Sequence, residues 1–413
     1  MRAKYFYGYN IVASGFVIQA VCIGAMFTYG VFFKEFQAEF GWSRAMISGA
    51  SSLAFLIMGT FGILAGRLND KIGPRVIIMA SGTSLGLGYF FMSRIQAPWQ
   101  LYLVYGLLVG IGFSTHDVIT LSTVARWFVK RRGMITGIVK VGTGLGQLIV
   151  PLVATALIAG YGWRISYIIL GAVVLVTLVA VAQILRRDPQ EMGLLPDGES
   201  DGPDHVGNGS KEQGVPLRTA VLTRQFWTMC VTEFALFFCM LTMIVHIVPH
   251  AMDLGLPSGT AAGVLSTIGG VSMLGRVVMG TANDRIGGKR SLIICFVVLL
   301  CGLIWLQVAG DAWMLFLFAV IYGFAHGGFF TVMSPTVAEL FDTGSHGVLF
   351  GIILFCGTIG GAIGPLLGGY IFDLTGSYQT LFFVLTGVTV IGFVLIIMLR
   401  PLQGAPASHL SSP

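Results

Sequence analysis

The sequence predicts an all-α membrane protein: twelve transmembrane helices in two six-helix bundles, related by a pseudo-two-fold axis along the membrane normal. Three observations lead there. Only 10% of the 413 residues are charged and 55% are hydrophobic, with a mean hydropathy of +0.85, whereas an ordinary soluble domain is about 25% charged. Twelve apolar runs are long enough to cross a bilayer, which takes about 20 residues each. The two halves also repeat at a fixed offset. The 24 basic and 18 acidic residues cannot cover a soluble surface of this size, so a soluble enzyme, a nucleic-acid binder and a disordered chain are excluded.

The elements follow in chain order. The run 8–33 comes after Arg2 and Lys4 and is too long for the apolar core of a cleaved leader, so it reads as an uncleaved first span. Runs at 44–66, 76–94, 99–127, 133–158 and 164–185 complete a first bundle, 1–186. Residues 187–223 change character. They are polar and glycine-rich, carry Asp188, Glu191, Asp197, Glu199, Asp201, Asp204 and Glu212, and read as a flexible cytoplasmic linker. Asn208-Gly209-Ser210 matches a glycosylation sequon, but on the inner side it is a chance match. Runs at 225–252, 259–283, 291–309, 312–340, 347–372 and 378–399 form a second bundle, 224–400, followed by a cytoplasmic tail, 401–413. Pro151 and Pro365 inside spans are tolerated because neighbouring helices re-satisfy the backbone. The 57 glycines, about twice ordinary usage, permit close helix contact. Cys22, Cys230, Cys239, Cys295, Cys301 and Cys356 all lie in apolar runs without ligand spacing, so neither a disulfide framework nor a metal is expected. With the N-terminus inside, eighteen Lys and Arg residues fall in inner segments and four (Lys34, Arg44, Arg94, Arg164) in outer ones. That asymmetry places both termini and the linker in the cytoplasm.

The repeat is explicit. Gly66-Arg67-Leu68-Asn69-Asp70-Lys71-Ile72-Gly73-Pro74-Arg75 recurs 214 residues later as Gly280-Thr281-Ala282-Asn283-Asp284-Arg285-Ile286-Gly287-Gly288-Lys289. Gly137 and Gly351, Pro151 and Pro365, and Gly162 and Gly376 keep the same offset. These loops resemble the signature of the major facilitator superfamily, and in topology the resemblance covers nearly the whole chain. It implies alternating access, with Gly66, Arg67, Asp70, Lys71, Arg75, Gly280, Asp284, Arg285 and Lys289 as gating loops that latch the halves; a static topology anchor is the alternative. A narrower likeness lies in Trp127-Phe128-Val129-Lys130-Arg131-Arg132-Gly133, leading into Gly137, Gly142 and Gly146. It is similar to the fifth-span signature of monocarboxylate transporters. In Val271-Ser272-Met273-Leu274-Gly275-Arg276, Arg276 matches the family's arginine. Ser272 stands where that family carries an Asp, Phe27 stands where its first-span Lys falls, and Tyr7-Gly8-Tyr9 is only a faint match to its first-span motif. The resemblance implies a bacterial homologue in the inner membrane, moving small carboxylates such as lactate or pyruvate with a proton. The departures leave the usual proton relay without two of its residues, abolished or relocated, and leave the fold expectation intact.

Ionisable groups inside spans cost at least about 2.5–3.5 kcal/mol on insertion scales, so each is a functional candidate. Asp117, Lys140, Glu233 and Arg276 all lie about 10–15 Å from the inner ends of their spans, with His116, His246 and His326 as titratable companions. A single polar tier between the bundles follows. Arg276 is the candidate for the substrate carboxylate, because its planar fork matches one. The structural alternative is a permanent ion pair with Asp117 or Glu233. Asp117, Glu233, His116 and Lys140 are the proton-coupling candidates; Asp117 and Lys140 alternatively form a purely structural pair. His116, next to Asp117, is expected to point about 100° away around the helix. Phe27, Tyr29, Leu145, Tyr322, His326 and Phe330 are candidates for a mostly apolar wall, although each aromatic taken singly is better read as helix packing. Gly142-Thr143-Gly144-Leu145-Gly146 only resembles a phosphate loop, having no preceding strand and no Lys-Ser/Thr ending, and Gly360-Gly361-Ala362-Ile363-Gly364-Pro365 reads as close packing.

The expected function is proton-coupled symport of a small monocarboxylate by a monomer, with the lipid bilayer as surroundings and no cofactor, metal or nucleic acid. Carboxylate exchange without a proton and a non-transporting nutrient receptor are the alternatives.

Overall fold

The computed structural model describes residues 6–198 and 215–400. Arg2, Lys4, Lys211, the linker acids Glu199, Asp201, Asp204 and Glu212, the sequon and the tail lie outside the described residues. The spans are α1 (Gly8–Phe40), α2 (Arg44–Ile72), α3 (Pro74–Met92), α4 (Pro98–Trp127), α5 (132–161), α6 (163–182), α7 (Arg224–Asp253), α8 (Ser258–Ile286), α9 (Gly288–Leu306), α10 (Ala312–Phe341), α11 (His346–Thr375) and α12 (Gln379–Ile397). Eleven helical stretches among the described residues are long and apolar enough to cross a membrane, one of them the 51-residue stretch Arg132–Ala182. At 1.5 Å per residue that stretch is about 77 Å long, against about 30 Å of hydrocarbon. It breaks at Gly162, whose φ of 75° and ψ of 163° are not helical, and so supplies two spans. Several helices outrun their apolar stretches: α1 continues to Phe40 and α2 to Ile72, because polar helix ends project beyond the hydrocarbon.

The repeat seen in sequence is a repeat of backbone. Gly73 (φ 85°, ψ 168°) ends α2 and Gly287 (φ 82°, ψ 161°) ends α8. Their N–H groups donate to the carbonyls of Asn69 and Asn283 at 3.0 and 2.9 Å. Only glycine occupies that region without strain, which is why both copies keep it.

Glycines also set how closely α5 approaches its neighbours. A Cβ on Gly142 or Gly146 would collide with the carbonyl of Phe16 or Ala20 in α1; on Gly133 or Gly137, with the carbonyl of Gly280 or Arg276 in α8. The phosphate-loop-like run is thus a helix contact surface. Between membrane helices the attraction is van der Waals contact rather than water exclusion, so bare backbone at the contact is stabilising. Gly360 and Gly364 of α11 meet the carbonyls of Phe234 and Phe238 in α7 in the same way. All six cysteines are free, four of them buried.

Two irregular features position the site. Helix α4 is α-helical over Pro98–Leu101, π-helical over Tyr102–Val109 and α-helical again over Gly110–Phe113; it then turns at Ser114 and Thr115 and resumes at His116. The start of the linker is docked against the first bundle. The Asp197 carboxylate accepts the N–H groups of Val129 and Lys130, both at 2.9 Å, and Asp188 lies 3.7 Å from Arg126.

Candidate functional site

A cavity of about 180 Å³ lies between the bundles. Its walls come from α1, α2, α4 and α5 on one side and α7, α8, α10 and α11 on the other. Most of the lining is apolar, including Met26, Phe27, Phe55, Met58, Phe237, Leu241 and Phe330. Asp117 and Lys140 from the first side and Arg276 from the second converge within it, Arg276 reaching the Lys140 carbonyl.

Asp117 sits at the second position of the helical segment that resumes after the turn in α4. Its Oδ1 receives the Lys140 ammonium at 2.5 Å and the Gln19 amide at 2.8 Å. Gln19 also donates to the His116 carbonyl and accepts from the Thr143 hydroxyl, so one buried amide ties α1, α4 and α5 together. His116 departs from the expected 100° divergence. Its Nε2 lies 3.6 Å from the other Asp117 oxygen, and both residues line the cavity. The helix begins only at His116, so the cavity wraps around its end, and the imidazole is anchored by Nδ1 at 2.7 Å from the Phe113 carbonyl. The Lys140 ammonium also lies 5.5 Å from the Phe330 ring centroid, within cation–π range.

Arg276 is only 3% exposed. Its Nη1 donates to the Lys140 carbonyl at 2.7 Å, its Nε is buried without a partner, and among the described residues no carboxylate pairs with it. It lines the cavity beside His326, whose Nδ1 is likewise unpartnered.

The other candidates lie elsewhere. Tyr29 donates its hydroxyl to the Ile47 carbonyl at 2.7 Å and stacks on Tyr105; Tyr322 donates to the Met240 carbonyl at 2.9 Å. Both are buried outside the lining. Leu145 is 37% exposed and also outside it. Glu233 is buried without a hydrogen-bond or ion-pair partner among the described residues. It borders a separate small void with Leu236, Phe237, Phe329 and Phe330. Ser272 satisfies its hydroxyl on the Gly269 carbonyl of its own helix at 2.7 Å. His246 bonds the Pro365 carbonyl at 3.0 Å, away from the cavity.

The end that carries the two repeat loops is closed by a pair of matching contacts. Asp70 accepts from the N–H groups of Gly347 and Val348 at the start of α11, at 3.2 and 3.1 Å, and pairs with Arg126 at 2.6 Å. Asp284 accepts from those of Gly133 and Met134 at the start of α5, at 2.5 and 2.8 Å. Each loop acid therefore caps a helix N-terminus of the opposite bundle, where the unpaired N–H groups and the helix dipole favour an anion. Arg75 bonds Gln183 within its own bundle, and the Lys71 carbonyl accepts from Arg187. Among the described residues, Arg67, Arg285 and Lys289 make no ion pair.

Gln19, Thr143, Gln147 and Arg126 were not among the sequence candidates. Two signals could have found three of them: Gln19 is an amide in an apolar span, and Lys140, Thr143 and Gln147 fall at i, i+3 and i+7 on one helix face. Nothing in the sequence marks a helix N-terminus of the other bundle as the partner of Asp70.

With this geometry established, comparison with known proteins is decisive. The family model described as Major Facilitator Superfamily matches residues 15–281 and 258–412. Monocarboxylate transporter 13 of Rattus norvegicus is 30% identical over 380 residues, covering 92% of this chain and 85% of the relative. An uncharacterized MFS-type transporter, YhjX, of Escherichia coli K12 is 26% identical, covering 82% of each. Among solved structures, the transporter FucP in its outward conformation superposes with a TM-score of 0.73 at 14% identity, covering 94% of this chain and 98% of that one. The proton:xylose symporter XylE gives 0.74 at 13% identity, covering 95% and 96%; both likenesses concern the fold. The chain is therefore a multi-pass membrane transporter rather than an enzyme, and it belongs to the Major Facilitator Superfamily as a homologue of its monocarboxylate transporters.

Proposed function

We propose that the chain moves small monocarboxylates such as L-lactate or pyruvate together with a proton, as a monomer in the cytoplasmic membrane with both termini inside. The observation that carries this reading is Arg276: a guanidinium buried at the cavity wall with a free Nε and no carboxylate partner among the described residues. A buried cation without a counter-ion is costly, and a substrate carboxylate supplies the counter-ion. A mostly apolar chamber of about 180 Å³ suits one short carboxylate better than a dicarboxylate or a phosphate. The names of the monocarboxylate transporter relatives support the same class.

The proton role falls to Asp117. When Asp117 takes a proton, Lys140 loses its partner and becomes a second cation for the anion; when the proton leaves, the pair re-forms and the anion is released. Anion and proton together carry no net charge, which avoids moving charge through the bilayer. This pair stands in for the relay that Ser272 and Phe27 lack, with His116 and Glu233 as further proton sites. The repeat loops act as the cytoplasmic gate: with both acids seated on the opposite helix ends, the inner side is closed. A second reading, carboxylate exchange without a proton, draws support from how fully Asp117 is engaged by Lys140, Gln19 and His116.

The test is uptake of radiolabelled L-lactate into proteoliposomes under an inward proton gradient, with Arg276→Gln in parallel. Symport predicts uptake that collapses with an uncoupler and vanishes in the variant. Uptake that ignores the gradient and rises with internal carboxylate would replace symport by exchange. Binding without flux would point to a receptor. Absence of both removes lactate.

A further inference from the structure

A second cavity, of about 450 Å³, lies away from the transport site, on the membrane-facing side of the first bundle between α3 and α4. Its floor and walls are Phe91, Leu103, Leu107 and Ile111, with Arg94 and Trp99 at its mouth. The π-helical stretch Tyr102–Val109 forms much of its wall, through Leu103, Val104, Leu107 and Leu108. Such a stretch bonds i to i+5 and is wider than an α-helix; on the α3 side the Ser84 hydroxyl donates to the Leu108 carbonyl at 2.7 Å. Phe91, Trp99, Leu103 and Leu107 are all exposed, so the recess opens to the bilayer and only hydrocarbon can fill it.

The mouth is built: of the residues lining the recess Arg94 is the charged one, and the nearby Glu39 carboxylate is paired with Arg164. The turn between α3 and α4 is held by the Gln100 side chain, which accepts the N–H groups of Gln96 and Ala97 at 2.6 and 3.1 Å, and by Arg164, which donates to the Ile95 carbonyl. On this rigid turn Arg94 is exposed, and it has no hydrogen-bond or ion-pair partner for its guanidinium among the described residues. Trp99, 64% exposed beside it, is the kind of side chain that settles at headgroup level. A cation with a planar fork at the headgroup and an apolar slot running inward from it complement one molecule: a phospholipid with an anionic headgroup.

We propose that the α3–α4 recess is a binding site for one anionic phospholipid, its phosphate on Arg94 and an acyl chain along Leu103, Leu107 and Ile111. The site lies at the end of the molecule opposite the repeat loops and is independent of the transport reading.

The test uses the full chain, purified and delipidated in a non-ionic detergent. Native mass spectrometry follows retention of phosphatidylglycerol or phosphatidylcholine with identical acyl chains. The wild type is expected to hold one phosphatidylglycerol in preference to phosphatidylcholine. Arg94→Gln should weaken phosphatidylglycerol retention about fivefold, the scale of one basic residue near an anionic surface, and leave phosphatidylcholine unchanged. Leu107→Trp, which fills the slot, should weaken both. Melting curves check that each variant is folded. Equal retention of the two lipids by the wild type overturns the proposal, as does wild-type retention of phosphatidylglycerol by either variant.

Discussion

Gln19 is the residue on which the polar wall turns. Its amide donates to Asp117 and to the His116 carbonyl and accepts from Thr143, so it holds the acid in place from a different helix while Lys140 neutralises it. Replacing it with Leu keeps the volume, removes a hydrogen bond to a charged group worth about 1.5–3 kcal/mol, and strands the Thr143 hydroxyl. Gln19→Leu is expected to lower the maximal rate of lactate uptake about tenfold, the equivalent of about 1.4 kcal/mol. The half-saturating concentration should change less, because Arg276 does not touch the amide. Initial-rate uptake at graded lactate concentrations separates the two. The site is legible in the sequence only where a residue is expensive in lipid. Arg276, Asp117 and Lys140 are visible because charge in a span demands a reason. Tyr29 and Tyr322 mislead for the same reason: a tyrosine in a span needs a partner for its hydroxyl, and here a backbone carbonyl serves, placing both in packing rather than in the cavity wall.

At the scale of elements, the two bundles are held at one end by loop acids seated on foreign helix ends. Asp70 on α11 and Asp284 on α5 each accept two backbone N–H groups. An asparagine at either position keeps one acceptor oxygen but loses the charge that the helix N-terminus stabilises by up to about 2 kcal/mol. Asp70→Asn and Asp284→Asn are each expected to shift the population several-fold towards the state open at this face, and the double variant further, because the contacts lie on different helix pairs. Spin labels at the exposed positions Arg131 and Arg290 would read the change as a longer distance component in pulsed electron resonance. An unchanged distance distribution in the double variant would show that the latch rests on packing alone. Glycine underlies that packing: Gly133 and Gly280 leave two backbones in contact where any side chain would separate them.

For the whole molecule, the charge asymmetry predicts one orientation. A cysteine introduced at Ser412 should react with a membrane-impermeant maleimide only after cells are permeabilised, and one at the exposed Gln96 should react in intact cells. The reverse pattern would invert both the membrane orientation and the side on which the gate is drawn. Orientation also sets the side from which the proposed symport would load its proton at Asp117 while the loop end is closed.

Composition, hydropathy and a 214-residue repeat determined the architecture. A chain whose solvent is lipid must bury its backbone in helices about 20 residues long, and that requirement is written along the sequence. The sequence likewise named the charged residues of the polar tier. Only the tertiary structure decided which of them meet. It paired Asp117 with Lys140 and, among the described residues, left Arg276 without a carboxylate. It set Glu233 apart, brought His116 into the cavity through a turn in α4, and made the first part of the linker a docked segment. The reason is physical. Hydropathy is a property of each residue and its near neighbours, whereas a hydrogen bond between residues 98 or 136 positions apart depends on how helices cross, and those crossings are set by bare glycine contacts distributed over the whole chain.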